Sequence, residues 1–211
     1  MPARRNRDGL EKGRGSSMTY FTSDQHFGHF NIIRLCQRPF ATAEEMDTAL
    51  LARWNAKVGE DDEVYIVGDL FFRAATVEPI LKTLHGRKHL VIGNHDHTWM
   101  RRVKVGDYFE SVQTIKEIVV DGRVMTLCHY PMLSYPQARR GYMVYGHIHN
   151  NVRDDYWPLI ARRSRMLNAG ADVNNFAPVT FDEMVANNRA FIARHSEDAK
   201  QNPLSMFCLE A

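Results

Sequence analysis

The stretch from residue 88 to residue 96 reads Lys88-His89-Leu90-Val91-Ile92-Gly93-Asn94-His95-Asp96. An apolar, β-branched run of this kind, here Lys88–Ile92, is typical of a buried strand, and the glycine marks the turn that ends it. Three polar side chains follow directly. Four other β-rich runs lead into polar clusters in the same way: Thr19–Ser23 into Asp24-Gln-His26, Glu63–Val67 into Gly68-Asp69, Val124–Cys128 into His129-Tyr-Pro131, and Tyr142–Tyr145 into Gly146-His-Ile-His149.

Helical patterns separate these strands. Thr42 and Glu45 have the spacing of a capping box, as do Thr180 and Glu183, and apolar residues recur at helical spacing after each. Alternating strands and helices predict an α/β fold. Without an internal repeat or linker, residues 18–211 are predicted to form one domain. The remaining predicted elements are helices over residues 42–59, over 77–86 and from 180 onward, and strands at Arg165–Asn168 and within residues 110–120.

The composition is that of an ordinary globular protein. The chain has 211 residues, of which 44% are hydrophobic and 25% charged. No apolar run approaches the roughly 20 residues that span a bilayer, and the charged N-terminus lacks the features of a secretory signal, so no membrane association is expected. The three cysteines, Cys36, Cys128 and Cys208, fit neither a disulfide framework nor a cysteine zinc site. We therefore expect a cytoplasmic protein.

The charge is unevenly divided along the chain. Residues 1–17 carry five basic and two acidic side chains, a net charge of +3. The whole chain carries +2, so residues 18–211 carry −1 and are close to neutral. The Gly/Ser/Arg-rich opening is predicted to be disordered, and residues 13–17 resemble an artificial linker, in which case Met18 would be the natural start. An arm that binds nucleic acid is the alternative interpretation of its arginines. The near-neutral remainder argues against strong nucleic-acid binding.

The five polar clusters are predicted to meet. Ligands of α/β sheets bind beyond the carboxyl ends of the strands, where all five clusters lie. Asp, His and Asn without Cys form an oxygen and nitrogen ligand set that suits Mn, Fe, Zn, Ni or Co, and we favour Mn. Seven ligands suit two ions better than one, and Asp69, alone in its motif, is the expected bridge. The predicted ligands are Asp24, His26, Asp69, Asn94, His129, His147 and His149.

Each motif alone has a simpler interpretation. A single Asp-x-His or Gly-Asp is more often a turn or a cap, and a single histidine after a strand is usually structural. Residues two apart, such as Asp24 and His26, are expected on one side of a strand or turn. The glycines at 68, 93 and 146 fit turns that bring the backbone close to bound metal. The conjunction of all five motifs at strand ends favours the metal site.

These motifs, in this order over residues 19–149, resemble the signature of the calcineurin-like metallophosphoesterases. Two further segments, Asp24–Ile33 and Leu167–Asn175, resemble a compact bacterial and phage subgroup of that family. The resemblance implies a four-layer α-β-β-α sandwich of two mixed sheets. It assigns Asp24, His26 and His149 to one metal and Asn94, His129 and His147 to the other, with Asp69 bridging. It also implies that His95 is the catalytic histidine.

The expected reaction is phosphoester hydrolysis. Two cations would acidify a bridging water, and the resulting hydroxide would attack phosphorus. His95 would stabilise the phosphoryl oxygens or protonate the leaving group. Asp96 is predicted either to orient the His95 ring or to be an exposed carboxylate at a helix start. We predict that the substrate is also contacted by His29, Asn94 and Arg73.

Alternatives remain for these outer residues and for the substrate. His29 is equally suited to capping a helix. Arg73 has a simpler interpretation as a solvated arginine. The run Arg162-Arg163-x-Arg165 is either a phosphate-contacting loop or a solvated turn. The expected partner is a small phosphoester or a nucleotide, and phosphodiesters are slightly preferred. A nuclease acting on DNA or RNA is the second hypothesis, and a metal-binding scaffold without catalysis is the third. The oligomeric state is left open by the sequence.

Overall fold

The computed structural model describes residues 17–72 and 77–197. The basic segment 1–16 and the predicted substrate contact Arg73 lie outside the described residues. The strands are β1 Thr19–Thr22, β2 Glu63–Ile66, β3 Arg87–Val91, β4 Ser111–Gln113, β5 Ile115–Val120, β6 Arg123–Cys128, β7 Tyr142–Tyr145 and β8 Met166–Asn168. The helices are α1 Phe30–Leu35, α2 Ala43–Lys57, α3 Val77–Thr83, α4 Asp96–Met100, α5 Trp157–Ala161 and α6 Phe181–Arg194, with a 3-10 turn at Val105–Asp107.

The strands form two mixed four-stranded sheets. The first has the order β1-β2-β3-β4 with all its strands parallel, and an antiparallel bridge between Phe21 and Val179 extends it beyond β1. The second has the order β5-β6-β7-β8, antiparallel between β5 and β6 and parallel thereafter. Parallel neighbours need crossover connections, which contain helices in every case except β6 to β7, where a helix-free loop over residues 129–141 makes the connection.

Side chains alternate between two cores along the strands. Phe21, Val67 and Val91 face the second sheet and pack in one cluster with Leu127 and Val144. Their neighbours Tyr20, Ile66 and Leu90 face the opposite way, into a cluster with apolar residues of α1 to α4. The outer face of the second sheet packs on Ile160 of α5. The order is therefore helices, sheet, sheet, helix, which confirms the expected four-layer sandwich.

The helix ends follow the predicted caps. Thr42 caps α2 by accepting a hydrogen bond from the backbone N–H of Glu45 at 3.1 Å. At α6 both halves of the capping box between Thr180 and Glu183 are formed. The short helices α1, α4 and α5 were not predicted, because five or six residues show too little periodicity. Among the described residues, no helix is long and apolar enough to cross a membrane.

Candidate metal centre

All seven predicted ligands lie together at one edge of the molecule, beyond the carboxyl ends of β1, β2, β3, β6 and β7. Both sheets contribute to this edge. Because parallel strands end on the same side, residues far apart in the chain become neighbours there. The distances between ring nitrogens and side-chain oxygens link the seven residues in a chain. An Asp24 oxygen lies 3.8 Å from His149 and 4.0 Å from His26, and an Asp69 oxygen lies 3.7 Å from His26 and 3.4 Å from His129. The Asn94 oxygen lies 2.9 Å from His129 and 3.0 Å from His147.

Three of these residues, which we call the first ligand cluster, form a compact buried group. Asp24, His26 and His149 each offer a ligand atom within 4.8 Å of the other two. Asp24 is completely buried and His26 is 1% exposed. This is the group that the sequence predicted for one metal ion.

The Nε2 atom of His26 provides a test of whether a cation fits. It is buried and has no hydrogen-bond partner, although it faces the carboxylates of Asp24 and Asp69. Burial lowers the pKa of His26 well below its usual value, and the nearby charges of His149 and Arg38 lower it further. A neutral imidazole with an unused buried nitrogen beside two carboxylates suits a divalent cation, since an unsatisfied buried polar atom is otherwise costly.

The second ligand cluster, Asn94, His129 and His147, is more open. Asn94 and His147 are exposed, whereas His129 is fully buried. His129 donates from Nδ1 to the carbonyl of Val67 at 2.9 Å, so its neutral form carries the lone pair on Nε2, which faces Asn94 and Asp69. Burial opposes protonation of His129, but the hydrogen bond to Asp69 and the charges of Asp24 and Asp69 outweigh it and raise its pKa to about 9.

Asp69 lies between the two clusters. One carboxylate oxygen is 3.7 Å from His26 and 3.4 Å from His129, and the other accepts the backbone N–H of His95 at 2.9 Å. Burial raises the pKa of this carboxyl, but the hydrogen bond and charge of His129 more than compensate, so the net shift is downward. An ionised carboxylate that faces both clusters is suited to a bridging position.

The backbone at the ligands is unusual. Five of the seven have positive φ: Asp24 at 54°, His26 at 55°, Asp69 at 55°, His147 at 70° and His149 at 51°. Left-handed turns, rather than the alternation of an extended strand, therefore place Asp24 beside His26 and His147 beside His149. Non-glycine residues adopt this region at a cost, and such strain clusters at functional sites. The predicted close approach at Gly146 is present, because a Cβ there would collide with Ser23 and Asp24.

A buried network supports the first ligand cluster from behind. Asp172 accepts a hydrogen bond from Nδ1 of His149 at 2.8 Å, which leaves Nε2 facing Asp24. Arg38 donates to both Asp172 oxygens, at 2.8 and 3.0 Å, and to the backbone carbonyls of Asp24 and Gln25. The side chains of Arg38 and Asp172 are 0% and 1% exposed. The prediction missed both residues, although Asp172 falls within the segment Leu167–Asn175.

His95 and Asp96 have different surroundings from each other. The His95 side chain is 38% exposed, and its Nε2 is 3.9 Å from Asp69, at the open side of the centre. The helix start predicted at Asp96 is confirmed, because α4 begins there, but the predicted exposure is wrong. Asp96 is fully buried, and its carboxylate accepts from the backbone N–H groups of Gly93, Asp69 and Leu70 and from Nε1 of Trp99, not from the His95 ring. Asp96 holds two ligand-bearing loops together.

His29 lies beside the first ligand cluster. Its Nδ1 is 3.4 Å from Nδ1 of His26, and its ring stacks on Phe72 with centroids 3.7 Å apart. It precedes α1 at the N-cap position but makes no side-chain capping hydrogen bond, so the cap alternative is wrong. His29 also borders a cavity of about 860 Å³ that opens from His95 and His147 towards Cys36, Arg153 and His195.

The comparisons with known proteins agree with this fold. The sequence matches no protein-family model. It is 35% identical over 169 residues to the uncharacterized protein MJ1445 of Methanocaldococcus jannaschii, a match covering 79% of this chain and 88% of that protein. The chain belongs to the family of MJ1445.

Solved structures also match. The crystal structure of AQ665, a protein of unknown function from Aquifex aeolicus, has a TM-score of 0.62 and 26% identity, covering 79% of this chain and 97% of that chain. YfcE, a phosphoesterase from E. coli, matches with a TM-score of 0.34 and 17% identity, covering 72% of this chain and 77% of that chain.

Proposed function

We propose that this protein hydrolyses phosphoesters at a centre of two divalent cations. The observation that carries the proposal is the convergence of seven side chains with oxygen and nitrogen ligand atoms at one edge of the molecule. One of them, His26, has a buried Nε2 with no hydrogen-bond partner. The ordered motifs that resemble calcineurin-like metallophosphoesterases support the same reaction. A ligand set that mixes carboxylate, amide and imidazole suits Mn, Fe, Zn, Ni or Co, and we propose Mn.

The predicted ligands are divided between two cation sites. The first ligand cluster would hold one cation, the second ligand cluster the other, and Asp69 would contact both. When bound, such a pair supplies a nucleophile from water at neutral pH and neutralises charge on the phosphoryl oxygens. Asp172 and Arg38 keep the His149 ring oriented so that Nε2 faces the cation site.

His95 is the proposed catalytic residue that binds no metal. It is adjacent to Asp69 and accessible from the cavity, so its ring can reach a phosphate held between the ligand clusters. From there it can donate a proton to the leaving oxygen or a hydrogen bond to a phosphoryl oxygen. A cavity of about 860 Å³ is larger than a phosphate group requires and leaves room for an organic substituent on the phosphate. Within that class we propose phosphodiesters ahead of phosphomonoesters by analogy with the family that the motifs resemble.

The test combines metal analysis with a substrate screen. Purified protein is loaded separately with Mn, Zn, Ni or Mg and assayed against mono-, di- and cyclic phosphoesters. We expect two equivalents of metal and turnover of a phosphodiester, strongest with Mn. Asp69→Asn should lose turnover and bind less metal, whereas Asp155→Asn, an exposed acidic control, should behave as the wild type. Absence of hydrolysis with every metal and every ester would exclude the enzyme and favour a binding scaffold.

A further inference from the structure

Five exposed arginines lie on the two segments that lead into β7 and β8, which are neighbouring strands of the second sheet. We call Arg139, Arg140, Arg162, Arg163 and Arg165 the arginine ridge; all are exposed. Within the described part of the chain none of them forms an ion pair, unlike Arg38, Arg87 and Arg123. Uncompensated guanidinium groups at this density create a strong local positive potential.

The sequence explains why this charge is uncompensated. Residues 122–153 and residues 156–171 contain no aspartate or glutamate, and the five arginines of the ridge fall within these two segments. The chain as a whole carries a net charge of only +2. The near-neutral total therefore conceals an uneven distribution of charge along the sequence.

Hydrogen bonds hold the two segments of the ridge together. Arg165 donates to the backbone carbonyl of Arg140, and Arg163 donates to the carbonyl of Leu133 at 2.9 Å. Arg165 also lies over the Tyr142 ring, 5.4 Å from its centroid. Two of the five side chains are thus partly fixed by protein contacts, while Arg139 and Arg162 project without a protein hydrogen bond among the described residues.

The ridge reaches towards the metal centre through one loop. Tyr130 directly follows the predicted ligand His129, is 48% exposed, and contacts the His147 ring edge-on at 4.6 Å. Leu133, whose carbonyl binds Arg163, is three residues further on, so at most about 11 Å of extended chain separates it from Tyr130. This loop therefore connects an exposed aromatic ring that contacts a predicted ligand to a residue that binds an arginine of the ridge.

We propose that the arginine ridge binds the phosphate backbone of single-stranded nucleic acid and leads one phosphodiester to the metal centre. Guanidinium groups bind phosphate oxygens in a forked geometry, and a strand supplies phosphates at regular intervals. Tyr130 offers a surface on which an unpaired base can stack. The proposed binding of nucleic acid does not depend on the proposed function. The delivery of a phosphodiester to the metal centre rests on the proposed phosphoesterase activity.

The test is the salt dependence of oligonucleotide binding. A fluorescent single-stranded DNA of about 20 nucleotides is titrated by anisotropy with the full chain, in a chelator so that nothing is cleaved. Arg139→Glu/Arg162→Glu is compared with Arg34→Glu/Arg101→Glu, which makes the same charge change at exposed positions off the ridge. We expect the ridge variant to weaken binding at least about tenfold at low salt and to reduce the slope of log K against log salt by about 1.4. The control should stay within about twofold.

Three results would overturn the proposal. These are no salt-dependent binding by the wild type, equal weakening in both double variants, and binding to phosphatidylserine vesicles but not to DNA. Failure of the phosphoester screen with ridge-dependent DNA binding intact would reject the proposed function and leave the binding surface. Turnover of small esters without DNA binding would reject the binding surface and leave the proposed function.

Discussion

The two ligand clusters differ in how completely the protein prepares them. In the first, His149 is oriented by Asp172, whose charge is matched by Arg38, and Arg38 also fixes the backbone at Asp24. In the second, Asn94 Oδ1 lies 2.9 Å from His129 and 3.0 Å from His147, so the predicted ligands are joined to one another. A cation at the second cluster must replace those contacts, whereas the first offers an unsatisfied His26 nitrogen.

This difference predicts a division between a tightly held ion and an exchangeable one. Preorganised ligands bind metal without a cost of rearrangement, and outer hydrogen-bond partners commonly change affinity by about 10- to 100-fold. Two members of the second ligand cluster, Asn94 and His147, are also exposed to solvent. We therefore expect the first ion to organise the site and the second to bind more weakly.

The largest expected effect comes from His95, which belongs to neither cluster. His95→Ala should reduce kcat by about 10²- to 10⁴-fold while two ions still bind, because the ring donates to substrate and not to metal. Rates with the best ester from the screen and metal content by mass spectrometry check this. His147→Ala is the matched control and should lose the weaker ion. Full activity in His95→Ala would remove His95 from the mechanism.

The next effect separates the clusters directly. Asp172→Asn keeps an acceptor for His149 but removes the charge, so affinity for the tightly held ion should fall about 10- to 100-fold while affinity for the weaker one is unchanged. Calorimetric titration of metal into metal-free protein resolves the two steps.

Loss of the Asp172 charge leaves Arg38 as an unpaired buried cation, which is itself destabilising. Arg38→Gln/Asp172→Asn removes that penalty and tests the same hydrogen bond, with Asp155→Asn as the exposed control. If both ions weakened equally, or neither did, the contrast between the clusters would be wrong.

The strands and the convergence of the seven residues could be predicted because their signals are local. Each β-rich run is followed at once by its own polar cluster, and sheet topology brings the ends together. Arg38 and Asp172 could not be found in this way, because they are 134 residues apart and meet only through packing. The prediction that Asp96 is exposed was wrong for a related reason. Its position at a helix start suggested exposure, but the loops that carry Asp69 and Asn94 enclose it. The run Arg162-Arg163-x-Arg165 of the arginine ridge was visible in the sequence as a possible phosphate-contacting loop, but its proximity to Arg139 and Arg140 was not.

The smallest expected effect concerns Asp47 of α2, which anchors the loop that follows the first ligand cluster. Both of its carboxylate oxygens accept from the backbone N–H of Gly28, at 3.0 and 2.9 Å. Burial raises the pKa of Asp47 from 3.8 to about 6, with Glu44 adding to the shift and Gly28 opposing it. The folded state therefore binds more protons than the unfolded state between these values, so this residue's contribution to stability is lost as pH rises from about 4 to about 6.

Asp47→Asn keeps an acceptor for Gly28 and removes the titration. The variant should therefore flatten the dependence of unfolding free energy on pH in that interval. The change should be about 1 kcal/mol or less, because the site is only partly buried and solvent screens the charge. Denaturant melts of metal-free protein from pH 4 to 8 measure it, with Asp155→Asn as control. A variant whose pH profile parallels the wild type would show that solvent already offsets the burial of Asp47, and that the loop after the first ligand cluster is less rigid than its hydrogen bonds suggest.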